Sequence, residues 1–229
     1  MQKKRSAEGG AKAKPVVRQT LSEQIYQSLK QDIIMHQIPF GEKLVNRDLQ
    51  TRFGVSSTPI RDAINHLYLD GLLENITNGG ARVVSFDMER ALEINEVVMV
   101  LSLGAIESIV RNGRMSELAD MLKELIEHQS EVETMEDYIE LDARFHRAFF
   151  VCSGNRHLSQ IYDQYTVLFE ILVRLAKAEG ARRRTRMQQH EFIYELCRSG
   201  DVLGLKHAVK VHYNTAAEWF TQNASAFEA

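Results

Sequence analysis

The sequence predicts a mainly α-helical chain: a small N-terminal unit of three helices and a hairpin, then an all-α antiparallel bundle of six or seven helices. Three observations lead there. Only three of the 229 residues are proline, and Leu, Ala, Glu, Lys and Arg are frequent, which favours helices. From Met88 onward apolar residues recur at helical spacing. Ahead of them, two short amphipathic stretches flank a glycine and lead into one hairpin pattern.

Residues 1–17 are poor in bulky side chains and are expected to form a disordered basic tail. Its Lys3, Lys4, Arg5, Lys12 and Lys14 either solubilise the chain or touch phosphates without sequence preference. Leu21, Ile25, Leu29 and Ile33 recur every fourth residue, so a helix is expected from Leu21 to about His36, stopped by Pro39 and Gly41. A second helix spans about Asn46 to Phe53 and buries Leu49 and Phe53. Gly54 makes the turn, and Ser56 can cap a third helix that tolerates Pro59 in its first turn. That helix buries Ile60, Ala63, Ile64 and Leu67 and ends at Gly71. LLENITNGGARVVSF then reads as strand, Asn78-Gly79-Gly80 turn, strand. Helix, helix-turn-helix and hairpin make a winged helix. Periodicity alone also admits a small helical packing module.

Behind it, apolar stripes mark successive helices: Leu92/Asn95/Val98/Met99, Leu118/Leu122/Leu125 and Leu158/Ile161/Tyr165/Leu168/Leu172. Gly200 and Asp201 form a stop followed by an N-cap. There is no βαβ pattern, P-loop or GxGxxG. Three of the later stripes carry polar, metal-competent groups. Asp142 and His146 lie one turn apart beside Ile139, Phe149 and Phe150. His190 shares a face with Ile193, Tyr194 and Cys197, and His212 with Leu205, Ala208, Val209, Ala216 and Trp219. Such groups are either hydrogen-bonded core residues or the ligands of a shared cation, for which one Asp and three His suit zinc, nickel or another first-row divalent ion. His36, His66, His128, His157 and His207 have no comparable company and read as structural or surface groups.

The charge is uneven. Residues 1–86 hold 12 Lys and Arg against 8 Asp and Glu, and the remainder 16 against 23, so only the front suits a polyanion. The longest apolar run, Val97 to Leu103, is broken by Ser102 and falls far short of the about 20 residues a bilayer requires. No membrane association is expected. The N-terminus has no apolar core of a signal peptide, and Cys152 and Cys197 form no CxxC, which points to a reduced, cytoplasmic setting.

PFGEKL, the block FGVSSTPIRDAI, the DGLL after it and the glycine-rich wing closely resemble the DNA-binding domain of GntR-family bacterial transcription regulators. The rear resembles the all-helical FCD domain of the FadR-like branch, so the resemblance covers about residues 18–222. It implies a winged helix-turn-helix over 18–86 and a metal- and effector-binding bundle over 87–224. It also implies that Arg47, Ser56, Ser57, Thr58, Arg61 and Gly80 occupy DNA-contacting positions. An Arg can grip guanine in the major groove and a hydroxyl can hold phosphate. The family usually has Arg at the position of Ser57 and often Glu at that of Asn46, so one base or phosphate contact is weakened. Asp142, His146, His190 and His212 fall on the four metal-ligand positions, implying zinc, with nickel or manganese as substitutes.

FCD domains commonly sense small organic acids. Here Val98 stands where many members place a carboxylate-binding Arg on the first helix, and Ser102 where an acid is usual, so the pocket is more apolar. Arg174 and Arg144 are the candidate substitutes, and the ARRRTR run at 181–186 reads as a solvated loop. The expected function is a homodimeric, metal-containing repressor of a pseudo-palindromic double-stranded DNA operator, modulated by a small metabolite such as a carboxylate. One alternative makes the metal purely structural. A remoter one, a metal-dependent hydrolase, lacks a recognisable general base and leaves the front without a role, so no enzyme is expected.

Overall fold

The computed structural model describes residues 19–76, 80–175 and 181–223; the basic tail lies outside them. Thr20 accepts a hydrogen bond from the Glu23 N–H at 3.2 Å and starts α1 (Leu21–Ile34). Ile25, Leu29 and Ile33 are buried, but Leu21 is 58 % exposed, so the apolar stripe begins one turn later than its spacing predicts. α1 also ends before His36. Met35 caps it, and His36 takes a left-handed φ of 54° that returns the N–H groups of Gln37 and Ile38 to the Asp32 carbonyl.

A strand of two residues, β1 (Lys43–Leu44), leads into α2 (Asn46–Phe53) and α3 (Ser57–Leu69). Gly54 joins the two helices at φ 65°, a conformation glycine adopts without strain. Fully buried Ile60, Ala63 and Leu67 of α3 share a core with Leu29, Ile33 and Leu49. Each such large side chain contributes about 1.5–3 kcal/mol by leaving water. β2 (Leu73–Asn75) and β3 (Ala81–Val83) form the antiparallel hairpin. Residues 77–79 of its turn, including Asn78 and Gly79, lie outside the described residues. β1 pairs with the free edge of β3, giving the order β1-β3-β2. Sequence reading missed it because two residues are too few for alternation to register.

Six helices follow among the described residues: α4 (Met88–Arg111), α5 (Met115–Glu131), α6 (Met135–Ser153), α7 (Arg156–Leu175), α8 (Ala181–Ser199) and α9 (Val202–Gln222). α6 is central, packed against α4, α5 and α7, while α8 lies on α5 and α9, and α9 on α4. Gly200 at φ 74° and the Asp201 carboxylate, which accepts from the Gly204 N–H at 2.9 Å, make the expected stop and restart between α8 and α9. Among the described residues no helix is long and apolar enough to cross a membrane.

Two features depart from expectation in the bundle. Ile161, placed on the apolar stripe of α7, is 42 % exposed. The arginines at 182–186 belong to the first turns of α8 rather than to a loop, and three of them are engaged. Arg183 donates to the carbonyls of Gln129 (3.3 Å) and Val132 (2.7 Å), Arg182 stacks 3.7 Å above the Trp219 ring, and Arg186 turns inward. The two parts of the chain meet where α3 gives way to the hairpin. Gly71, at φ 70°, has Leu168 Cδ1 of α7 3.5 Å from where a Cβ would stand.

A candidate metal centre and nucleic-acid interface

α6 starts at Thr134, whose hydroxyl accepts from the Asp137 N–H at 3.1 Å, and runs unbroken to Gly154. Its period sets Tyr138, Asp142 and His146 in one line facing α8 and α9. Asp142, His146, His190 and His212 are 1, 3, 0 and 4 % exposed, so all four are core groups. The three imidazoles offer nitrogens within 4.8 Å of one another. His146 Nε2 and His212 Nε2 are 3.4 Å apart. Asp142 borders the trio, with Oδ2 3.8 Å from His146 Nε2 and Oδ1 3.8 Å from His190 Nε2.

The outer nitrogens explain the inner ones. His190 Nδ1 lies 3.1 Å from Gln129 Oε1, and His212 Nδ1 lies 2.8 Å from Gln189 Oε1. An amide oxygen only accepts, so each Nδ1 carries the hydrogen and each Nε2 lone pair faces the centre. His146 Nδ1 meets the Tyr213 hydroxyl at 3.1 Å, and that hydroxyl meets Ser102 at 3.1 Å. Phe145 stacks on His190 with centroids 3.7 Å apart, fixing the ring plane. Asp142 Oδ1 and His190 Nε2 are buried with no hydrogen-bond partner. Two converging orphans, each costing about 1–3 kcal/mol unpaired, are what a shared divalent cation satisfies. The donor set therefore fits such an ion.

Burial is the main cause that lowers the basicity of all three imidazoles. His146 is pulled down to about 4, the Arg186 charge adding to burial and Asp142 opposing it. His190 and His212 fall well below the ordinary value through burial, then through neighbouring imidazoles and Arg186. All three are thus neutral at neutral pH, the form that binds metal. A folded value below the unfolded one means that the unfolded chain takes up the proton first. Stability of the metal-free chain is therefore expected to be complete above about pH 6.5 and to be lost as the pH falls toward 4. For His146 alone the loss is on the order of 3 kcal/mol. Urea melts of chelated protein across that window check it; a midpoint unchanged between pH 6.5 and 4.5 contradicts it.

Sequence reading missed several partners of this centre. Arg186, buried, puts Nη1 3.3 Å from Asp142 Oδ2. It sits one helical turn before His190 on the same face, a signal hidden inside a run of arginines that looked like solvated charge. Gln129 and Gln189 are ordinary helix residues in sequence, marked only by their contacts.

The proposed effector residues divide. Val98 is fully buried, and Ser102 donates to its carbonyl at 2.8 Å. Ser102 lines a cavity of about 10 Å³ with His146, His212 and Tyr213. Arg174 is engaged elsewhere: its guanidinium forks onto Glu136 at 2.6 and 2.8 Å and reaches Glu170 at 2.9 Å. It does not line that cavity, because two carboxylates at the α6–α7 surface hold it. Arg144 lies in an exposed shallow pocket with Arg147 between α5 and α6.

The winged unit presents a different surface. Arg47, Ser56, Thr58 and Arg61 are exposed on α2 and at the start of α3, and Ser57 is half-buried. Among the described residues neither Arg47 nor Arg61 makes an ion pair. Ser56 occupies the N-cap position of α3 but makes no side-chain capping bond, and no acid lies in the first turn. Both its hydroxyl and the helix N–H groups are therefore open to an anion. Asn46 and Ser57 prove to be partners: Ser57 Oγ donates to Asn46 Oδ1 at 3.3 Å, and Gln50 donates to the same oxygen at 2.6 Å. The Ser and Asn at the two positions that differ from the family pattern thus form a neutral hydrogen-bonded pair. Gly80, exposed at φ 133°, has its carbonyl bound by the Tyr68 hydroxyl at 3.2 Å, which ties the wing to α3.

A winged helix-turn-helix joined to a helical bundle with histidines in its core defines a DNA-binding regulator of two parts, a reading head and a helical C-terminal domain. Residues 21–83 match the model of bacterial regulatory proteins of the gntR family, and residues 93–215 match that of the FCD domain. The chain belongs to the GntR family, in its FCD-bearing branch. It is 28 % identical over 198 residues to the HTH-type transcriptional regulator YdhC of Bacillus subtilis, covering 85 % of this chain and 88 % of that one. The fold superposes on Escherichia coli McbR/YncC with a TM-score of 0.66 at 22 % identity, over 90 % of this chain and 99 % of that one. It also superposes on the metal-free FCD domain of the regulator TM0439, with a TM-score of 0.51 at 20 % identity, over 62 % of this chain and 99 % of that domain.

Proposed function

We propose that this regulator is a homodimeric repressor whose two winged helices read a pseudo-palindromic operator, and that a small organic acid at a metal in the bundle releases it. Arg47 and Arg61 would read base edges, Ser56, Ser57 and Thr58 would hold phosphates near the start of α3, and Gly80 would let the wing approach the backbone. Asp142, His146, His190 and His212 would hold the ion, zinc before nickel or manganese. When bound, that ion would supply open coordination positions to an oxygen ligand. The observation that carries the reading is the clustering of the three buried imidazoles, with the unpartnered His190 Nε2 3.8 Å from the unpartnered Asp142 Oδ1. To act on DNA, the acid must bind the operator-competent and released arrangements with different affinity.

The experiment is a gel shift with zinc-loaded protein on operator DNA enriched from a random pool, repeated with a panel of organic acids. Sequence-selective binding released by an acid supports the proposal. Binding indifferent to sequence and to every acid removes it. The tightness of the cavity at the histidines favours a second reading, in which the ion only clamps the bundle. Thermal melts separate the two, since a sensor gains further stability from an acid only when the metal is present.

A further inference from the structure

A cavity of about 860 Å³ opens where the reading head meets the bundle, and among the described residues no histidine lines it. Leu69 and Gly71 close it on the head side, and Ile94 and Val97 of α4 with Leu168 of α7 close it on the other. Its volume falls within the roughly 300–1,000 Å³ that ligand pockets occupy, and joints between domains are a common place for them. Leu69 and Val100 line it while 75 and 56 % exposed, so each part of the chain leaves a large apolar side chain in water there.

Arg90, one turn before Ile94 on α4, supplies a polar anchor. It lines the cavity half-buried, and its Nε is shielded from water with no hydrogen-bond partner. Its guanidinium carbon lies 6.0 Å from the centre of the Phe86 ring, and among the described residues it makes no ion pair. A buried donor left unpaired is costly, and an anionic oxygen satisfies it most strongly. Glu93 and Glu96 also line the space, both exposed. They repel an occupant that carries several negative charges. Asp70 on the head side is already engaged, accepting from the Tyr26 hydroxyl at 2.6 Å and from Lys30 at 3.1 Å, which braces that wall against α1.

We infer that this cleft is a ligand site separate from the histidine centre, and that it takes an amphipathic monoanion. One carboxylate meets Arg90, and an apolar body lies between Leu69 and the wall of α4 and α7. The site does not depend on the metal reading proposed above. Its walls belong to both parts of the chain, so an occupant that favours one seat of the head over another is coupled to DNA binding by that same difference in affinity.

The test is displacement of anilinonaphthalene sulfonate, an amphipathic fluorescent anion, from full-length chain by octanoate, octanol and octylamine. Octanoate is expected to compete more strongly than octanol by about fivefold or more, and octylamine least of all. Arg90→Gln should weaken octanoate about tenfold or more and leave octanol unchanged. Val100→Glu, at an exposed position, puts a further negative charge into the cleft. It should weaken octanoate but not octylamine, and it carries the test alone if the Arg90 variant fails to fold by circular dichroism. Chelation of metal should change none of these values. Octanoate that competes no better than octanol, or that both variants bind as wild type does, overturns the site. So does tighter binding of octylamine, which would make Glu93 and Glu96 the anchor. Octanoate binding that vanishes with chelator places the acid at the histidines and also overturns it. If Val100→Cys joins two copies through a disulfide across the cleft, the second copy is the occupant and the ligand site falls. None of these results bears on the regulator reading, which the gel shift tests on its own.

Discussion

Replacing His190 by alanine is expected to abolish stabilisation of the protein by zinc. The ring is fully buried, faces the centre with an unpartnered Nε2, and is held by Gln129 behind and Phe145 above. At zinc 100-fold above its dissociation constant, wild type gains about 2.7 kcal/mol, which for a chain of this size raises Tm by roughly 5–10 °C. The variant should show almost none of this rise, because removing one ligand costs several kcal/mol of a binding energy that the other three cannot restore. Its metal-free Tm should also fall by several degrees, since the substitution opens a cavity against Phe145 and strands the Gln129 oxygen. Fluorimetric melts with zinc and with chelator measure both effects. Gln129→Leu is the milder companion: the ligand remains, its tautomer is no longer fixed, and zinc should bind about 10–100-fold more weakly. An unchanged zinc-induced rise in the His190 variant would show that the imidazoles do not act together.

Arg61→Ala is expected to reduce operator binding far more than it alters the fold. The side chain is exposed on α3, and no partner among the described residues is left stranded by its loss. Stability should therefore stay within about 0.5 kcal/mol of wild type. On DNA, each lost bidentate contact to a guanine costs about 1–3 kcal/mol and the proposed dimer would lose two, so affinity should fall by roughly 30-fold to 10⁴-fold. The loss should be concentrated at one base position of each half-site. A uniform decrease across sequences, with a shallower salt dependence, would assign Arg61 to a phosphate instead. Equilibrium fluorescence anisotropy on operators substituted one base at a time distinguishes the outcomes.

Much of this architecture was legible because it is local. α2 runs from Asn46 to Phe53, the stretch its two apolar residues and Gly54 delimit. The i, i+4 spacing of Asp142 and His146 was enough to place both on one face of α6, and the single apolar stripes of α8 and α9 placed His190 and His212 inward. What stayed hidden depends on distant pairings. β1 exists only because β3 offers it an edge, and Gln129 matters only because folding brings it to a histidine 61 positions later. Arg186 shows the limit most clearly. Inside RRRTR its charge has the same appearance as that of its neighbours, yet its phase on the helix directs it to Asp142, while Arg184 stays exposed. The fate of Arg174 was equally illegible, since Glu136 lies 38 residues away. The Ser57–Asn46 pair spans a turn and was read as two separate departures.

One feature of α7 would serve the proposed coupling between bundle and head. Leu168 abuts Gly71 at the foot of the reading head, and the next residue, Phe169, sets its ring 5.4 Å from that of His146. Consecutive helical residues point about 100° apart and rise only 1.5 Å. Two consecutive residues of α7 therefore touch both compartments. Under the proposed sensing function, a ligand that displaced the His146 ring would need no chain of intermediates to reach the head: a small roll of one rod about its own axis would tilt it.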